Sequence, residues 1–379
     1  MKKFNLSIYK QTRVYFDFFN VYLKKRNITR EEIFSILIIN NSSYRRCRES
    51  EQKVGKQILK QLAEYFEFII PNDKIVDELQ EKINQIYHKM YYKIYDTYEE
   101  DQKYIDALLG QNILLLPIVK LIKLYLVVNS TKSVVDVKIE YKEMFEDMKS
   151  YLDMFTYELR EIYEILNLFF GDEIVLNENW IQDYKNAMSY QIVASKCYFE
   201  KKYIEAIFFS KCSLEILLND MNYKRIITVN RTIMGSYLYV GNYSECHKIA
   251  EKQILYLQSI NYSDYELESA YMFEAVSLLG LEKYNEVEKM IEGYSKMNLT
   301  LLTCLFVALY QVNRDKYIEL YNENIEEFDS ENKEYLFQLN KYLKNKDKNS
   351  LSRLNNYSIM GGLIKILKNF KMSKNAKET

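Results

Sequence analysis

Two prolines and nine glycines in a chain of 379 residues are the tightest constraint on its fold. A many-stranded β fold turns often, and its turns draw on Gly and Pro. Helices joined by short polar loops need little of either, so the sequence predicts an all-α protein. Apolar residues, at 48%, are ample for a core. This length suits two or three domains, or one repeat array with an added module.

The five cysteines, Cys47, Cys197, Cys212, Cys246 and Cys304, are odd in number and scattered. That pattern suits a reducing cytoplasm and argues against a disulfide framework or a structural zinc site. His88 and His247 are the only imidazoles, so neither a metal centre nor a His-based nucleophile relay is expected. No Gly-rich run precedes Lys-Ser or Lys-Thr, which removes the phosphate loop. The acidic stretches "EIYEIL" and "NIEEFDSE" read as solvated helix faces. No catalytic residue, metal or cofactor is therefore assigned, and the chain is not expected to be an enzyme. "MKKFNLSIYKQ" is basic without an apolar stretch behind it, so no secretory signal is expected. The apolar run "NILLLPIVKLIKLYLVV", 112–128, carries Lys120 and Lys123 near its middle. Charges there are costly in a bilayer, so it reads as a buried core helix, not a membrane span.

The net charge of −1 hides an asymmetry. Residues 1–70 hold 14 Lys and Arg against 7 Asp and Glu, a net +7; the remainder is net −8. A basic module on an acidic body is the footprint of a nucleic-acid reader with a separate sensing part. Within the module, "TRVYFDFFNVYLKKRN" has helical periodicity and ends in a basic tail. In "NITREEIFSIL", Thr29 stands three residues before Glu32, the spacing of a capping box. Ile33, Ile36 and Leu37 form the apolar stripe of the short helix that follows. "IINNSS" breaks it, and Ser42 or Ser43 can cap a helix carrying Tyr44, Arg45, Arg46, Cys47 and Arg48. "VGKQILKQLAEYFEF" closes the module, with Ile58, Leu59, Leu62, Ala63 and Phe66 inward.

A short helix, a tight turn, a basic helix and a packing helix make the helix-turn-helix plan. Residues 27–68 resemble the lambda-repressor/Cro-like helix-turn-helix family, whose opening "N-L-T-Q-E-E-L" is similar to "NITREEI" here. The resemblance puts Leu37, Ile39, Tyr44 and Cys47 at the apolar anchors. It puts Asn40, Asn41, Ser42, Ser43, Arg45 and Arg46 on duplex DNA, with Arg48 beside them. The chain departs from that family at the turn, where Ile38 replaces the usual Gly, and in an opening helix that is aromatic, not basic. A plain four-helix cap is the competing reading.

Beyond residue 70, one turn signature recurs. A polar turn is followed by Tyr and, three residues on, a small or apolar residue: Tyr203 and Ala206, Tyr243 and Cys246, Tyr284 and Val287, Tyr317 and Leu320. The tyrosines are 40, 41 and 33 residues apart, with a weaker copy around 347–352. This resembles the tetratricopeptide repeat, whose period is about 34, with an irregular helical bundle as the competing reading. Such units stack into a right-handed superhelix with a concave face lined by the first helix, A, of each pair. The expected organisation is a helix-turn-helix domain over 1–70 and a tetratricopeptide-like domain over 71–379, clearest across 187–352.

The inward positions usual in such repeats are Gln191, Ser195 and Tyr198, then Thr228, Arg231 and Tyr239. Met272, Val276 and Leu279 follow, then Leu305, Leu309, Val312 and Asn313. They predict a groove polar at one end, around Arg231, and apolar at the other, suited to a short apolar peptide; core packing is the competing reading of the apolar half.

A lambda-repressor-like module followed by such repeats is similar to the peptide-pheromone receptors of the RRNPP superfamily, with Rgg/MutR-type regulators nearest. "SSYRRCRESEQKVGKQILKQLAEYFEF" fills the place of their recognition and fourth helices, and "FTYELREIYEILNLFF" resembles the helix opening their repeat domain. The resemblance implies a cytoplasmic homodimeric transcription regulator. It would bind promoter DNA under the control of a short signalling peptide. The alternative is a helical-repeat adaptor that binds protein instead of DNA; the arginine helix favours DNA, since phosphate binding is driven by counterion release.

Overall fold

The computed structural model describes residues 3–37, 53–94, 98–130, 134–170, 186–261, 264–292, 298–327, 330–354 and 361–369. These residues form nineteen α-helices; their extended pairing is confined to one isolated bridge between Ile69 and Ile113. The chain divides into two compact units, 1–185 and 186–379.

The first unit holds α1 (Thr12–Lys25), α2 (Arg30–Leu37), α3 (Lys53–Tyr65), α4 (Asp73–Tyr92), α5 (Tyr98–Leu109), α6 (Leu116–Ser130), α7 (Val134–Met148) and α8 (Tyr157–Phe170). The capping box forms as its spacing predicts. The Glu32 carboxylate accepts from the Thr29 amide at 2.7 Å, and Thr29 Oγ1 accepts from the Glu32 amide at 3.3 Å. Both satisfy amides that have no partner within the helix. Ile33, Leu37, Ile58, Leu59, Leu62 and Ala63 are buried, and Phe66 is half-buried against Phe19 and Tyr22.

Residue 70, the expected domain boundary, falls inside the first compact unit. Ile69 donates to the Asn112 carbonyl at 3.1 Å, and Leu114 donates to the Ile69 carbonyl at 3.0 Å. Upstream, the Phe4 amide donates to Asn84 Oδ1 at 2.8 Å, and Tyr9 Oη donates to the Met154 carbonyl at 2.6 Å. The aromatic face of α1 explains this. Phe16, Phe18 and Phe19 are buried, and Phe18 packs against both Phe68 and Tyr151, 5.3 and 5.7 Å between ring centres. A helix that carries so much apolar surface needs cover from both sides. Its aromatic character, a departure from the helix-turn-helix pattern, follows from that packing.

Within this unit α6 is the apolar run of 112–128, and it is a core helix. Leu121, Ile122, Leu124, Tyr125 and Leu126 have no exposed surface. Its two lysines are paired at the rim, Lys123 with Asp106 at 2.6 Å and Lys120 with Asp147 at 2.9 Å. Among the described residues no helix is long and apolar enough to cross a membrane. On α5, Asp101 is fully buried and bonded to two lysines of α4, Lys82 at 2.5 Å and Lys89 at 2.8 Å.

The second unit is a succession of helix pairs: α9 (Ala187–Phe199) with α10 (Tyr203–Asn219), α11 (Tyr223–Val240) with α12 (Tyr243–Ser259), and α13 (Asp264–Gly280) with α14 (Tyr284–Glu292). They continue as α15 (Leu299–Val312) with α16 (Arg314–Glu327), and α17 (Ser330–Asn345) with α18 (Lys348–Leu354). The first members, α9, α11, α13, α15 and α17, each pack on the next, as in a repeat array. A last helix, α19 (Gly361–Asn369), lies against α11 and α13, where Lys365 Nζ donates to the Tyr239 carbonyl at 2.6 Å.

Three of the four copies of the recurrent turn are built as the sequence predicts; in the fourth, Tyr317 lies inside α16, three residues past its start, and Leu320 is only half-buried. Tyr203, Tyr243 and Tyr284 each open a second helix, and Ala206, Cys246 and Val287 have no exposed surface. Chain reversal within the pairs passes through left-handed residues at Lys201, Gly241 and Glu282. Only the middle one is the glycine such a φ favours. The tyrosine also fixes the next pair. A Cβ added at Gly280 would stand 2.4–2.6 Å from the ring of Tyr243, closer than atoms approach. Gly280→Ala is therefore expected to destabilise the protein by about 1–3 kcal/mol. Urea unfolding measures it; an unchanged midpoint would mean that the ring steps aside freely.

Candidate ligand cleft and DNA-facing segment

The DNA-facing residues proposed from the sequence, Asn40, Asn41, Ser42, Ser43, Arg45, Arg46 and Arg48, lie outside the described residues, as do Ile38, Ile39, Tyr44 and Cys47. The frame on either side of them is described. α2 starts at its capping box and packs on α3, which in turn packs on α1.

In the second unit a half-open cleft of about 420 Å³ lies on the face of the first helices. Its volume is that of a small-ligand site. Five expected groove residues come together there: Ser195 and Tyr198 from α9, Arg231 and Tyr239 from α11, and Met272 from α13. Three successive helices deliver them because equivalent positions in stacked repeats share one face. The sequence reading missed Phe199, Thr232, Gly235, Leu238, Tyr265, Ser269 and Phe273, which complete the wall, and Gly362 of α19 at its edge. One signal was legible. Gly235 lies inside α11, where glycine disfavours helix, and a Cβ there would stand 3.0 Å from the ring of Tyr198, so this glycine leaves room for the aromatic wall.

The other expected groove residues are elsewhere. Val276, Leu279, Leu305 and Leu309 are at most 4% exposed and belong to the core. The apolar end predicted for the groove is interior packing. Thr300 through Tyr310 of α15 are all buried, and a helix enclosed on every side has no distinct inward stripe to read. Gln191 Oε1 is occupied by Arg225, which donates to it at 3.2 Å. Thr228 is half-buried, its hydroxyl 3.5 Å from the Lys224 carbonyl of its own helix. Asn313 Oδ1 accepts from the Lys316 amide at 3.2 Å, capping α16, and Val312 is exposed.

The cleft's electrostatics differ from those of a bare arginine. Arg231 donates to Tyr265 Oη at 3.2 Å, with its guanidinium 5.7 Å over that ring. The carboxylate of Glu266 is 3.9 Å away, so the positive charge is partly compensated. A guanidinium has five N–H donors, and these contacts leave several for a ligand carbonyl or carboxylate. Tyr203 and Tyr239 stack with ring centres 4.5 Å apart. Burial, reinforced by those two neighbours, pushes the Tyr198 hydroxyl up to about 12. It is therefore a hydrogen-bond donor and acceptor at neutral pH, not an anion. The arrangement offers hydroxyls, one guanidinium and aromatic walls to a ligand. Among the described residues no group of acidic, His and Cys side chains could hold a metal.

A scan against protein-family models found no match, and neither curated protein sequences nor solved structures gave one.

Proposed function

We propose that this chain is a DNA-binding transcription regulator controlled by a short peptide. In this reading residues 27–68 form a helix-turn-helix, and the second unit is a right-handed tetratricopeptide-like superhelix whose cleft takes the peptide. The protein works in the cytoplasm as a homodimer that sets two recognition helices on successive half-sites. The observation that carries the reading is the cleft: Ser195, Tyr198, Arg231, Tyr239 and Met272, picked from sequence as ligand-facing, line one cavity. The capping box at Thr29 and the packing of α2 on α3 support the DNA-binding part.

The cleft's chemistry narrows the ligand. Hydroxyls and the remaining Arg231 donors hold a peptide backbone or carboxylate, and Met272, Phe273 and Leu238 accept one or two apolar side chains. A long apolar peptide does not fit this reading, because the expected apolar extension is core. Regulation follows if the peptide prefers one dimer geometry; a tenfold change in DNA affinity requires about 1.4 kcal/mol of such preference.

The test is titration of short apolar peptides encoded near the protein's own gene, read by calorimetry and by promoter-fragment binding. Arg231→Ala is expected to weaken peptide binding tenfold or more while leaving the unfolding curve in place. Wild-type affinity in that variant, or no peptide that alters DNA binding, would remove the sensing part of the proposal.

A further inference from the structure

A second, larger cavity of about 640 Å³ lies in the first unit, apart from the peptide cleft. Four pieces of chain build it: the end of α1, the turn after α3, the start of α6, and the junction of α7 with Tyr151. One wall is aromatic. Tyr22, Tyr65 and Phe66 face it with surface left open, over the buried rings of Phe18, Phe68 and Tyr151.

Basic side chains stand beside these rings, with Lys25 Nζ 5.2 Å over the ring of Tyr151. Lys25 and Lys120 converge on a single carboxylate, Asp147; Lys120 meets one oxygen at 2.9 Å and Lys25 contacts the other. Arg26 stands at the same end, its guanidinium 5.0 Å over the ring of Tyr22. Against these three cations the lining holds Asp147 and the exposed Glu67, so one positive charge is left over. Two ammoniums sharing one carboxylate in a half-closed cavity are under-neutralised. Burial lowers the pKa of both, and at Lys120 the neighbouring Lys25 adds to the effect. An incoming anion relieves that repulsion, and charge-assisted hydrogen bonds from lysine are among the stronger contacts available.

We infer that this cavity is a binding site for a nucleoside phosphate, with the phosphate on Lys25 and Lys120 and the base against Tyr65 and Phe66. The rings and the ammoniums match the two halves of such a ligand. A flat base stacks on aromatic rings whatever its identity, and a phosphate suits paired ammoniums. The volume lies within the range of small-ligand sites. The position also gives the ligand a lever. Lys25 and Arg26 end α1 and stand just before the Thr29 cap of α2, so a phosphate bridging Lys25 to Lys120 ties the entry to α2 onto α6. This inference rests on the cavity alone and holds whether or not the peptide reading does.

The test uses the full chain and three probes: adenosine monophosphate, adenosine and inorganic phosphate, followed by calorimetry. The nucleotide is expected to bind saturably and at least tenfold tighter than either fragment. Lys120→Gln is expected to weaken it tenfold or more, while Lys120→Arg keeps most of the affinity. Asp147→Asn removes the competing carboxylate and is expected to tighten binding several-fold, an outcome that a purely structural ion pair would not give. No saturable binding at millimolar nucleotide overturns the site. Equal affinity for adenosine overturns the phosphate assignment, and equal affinity for inorganic phosphate overturns the aromatic one. Lys120→Gln binding like wild type overturns the lysine assignment.

Discussion

Asp101→Ala is expected to cost the first unit about 3–5 kcal/mol, the usual penalty for removing one partner of a buried ion pair. The carboxylate is completely buried, and both its lysines, Lys82 and Lys89, are only about one-fifth exposed. Its removal takes away the carboxylate that both ammoniums share. Asp101 also stands in the first turn of α5, where a negative charge complements the helix dipole. Since whole domains are stable by about 5–15 kcal/mol, such a loss brings this unit close to unfolding. Asp101→Asn keeps a hydrogen-bond acceptor and is expected to fall in between. Glu78→Gln breaks the exposed i,i+4 pair with Lys74 and is expected to change stability by less than about 1 kcal/mol. Guanidinium unfolding of the three variants ranks them. Equal midpoints for Asp101→Ala and Glu78→Gln would show that the buried triad contributes nothing.

The second large effect concerns DNA. Arg45→Ala and Arg46→Ala are each expected to weaken promoter binding by about 1–3 kcal/mol if they read bases, so the double variant loses on the order of 30-fold to 10⁴-fold. The alternative role is separable. An arginine that clamps phosphate weakens every sequence alike and lowers the salt slope by about one unit. Fluorescence anisotropy with promoter and scrambled duplexes at several salt concentrations distinguishes the two. A double variant that binds its promoter like wild type would falsify the helix-turn-helix reading.

What the sequence made legible was local. The Thr29–Glu32 box is a contact between residues three apart, and it formed. The tyrosines opening α10, α12 and α14, and the residues three positions on, are again within one turn of helix. What it hid was long-range. Nothing near residue 70 signals that Ile69 will pair with Ile113, or that Tyr9 will reach Met154. The left-handed turn residues Lys201 and Glu282 carry none of the usual glycine signal, because packing of the paired helices enforces the reversal. The cleft was half legible for the same reason. A repeat register names the face of a helix, but not which helices are then enclosed, and α15 was. The basic and aromatic cavity of the first unit draws on four separate segments and has no single motif to read.

The contacts that join Phe18 of α1 to Tyr151, and Tyr9 just before it to Met154, also set an order of events during synthesis. At about 5–20 residues per second, the ribosome needs roughly 4–17 s to move from residue 70 to residue 154. Through that interval Phe18 lacks Tyr151 and Tyr9 lacks its acceptor. The emerging amino-terminal segment thus displays an uncovered aromatic face, a surface that chaperones recognise and other nascent chains can adhere to. The same arithmetic bears on dissection of the protein. A fragment cut at residue 70 is permanently arrested at this stage, whereas one ending at residue 185 carries both Tyr151 and Met154.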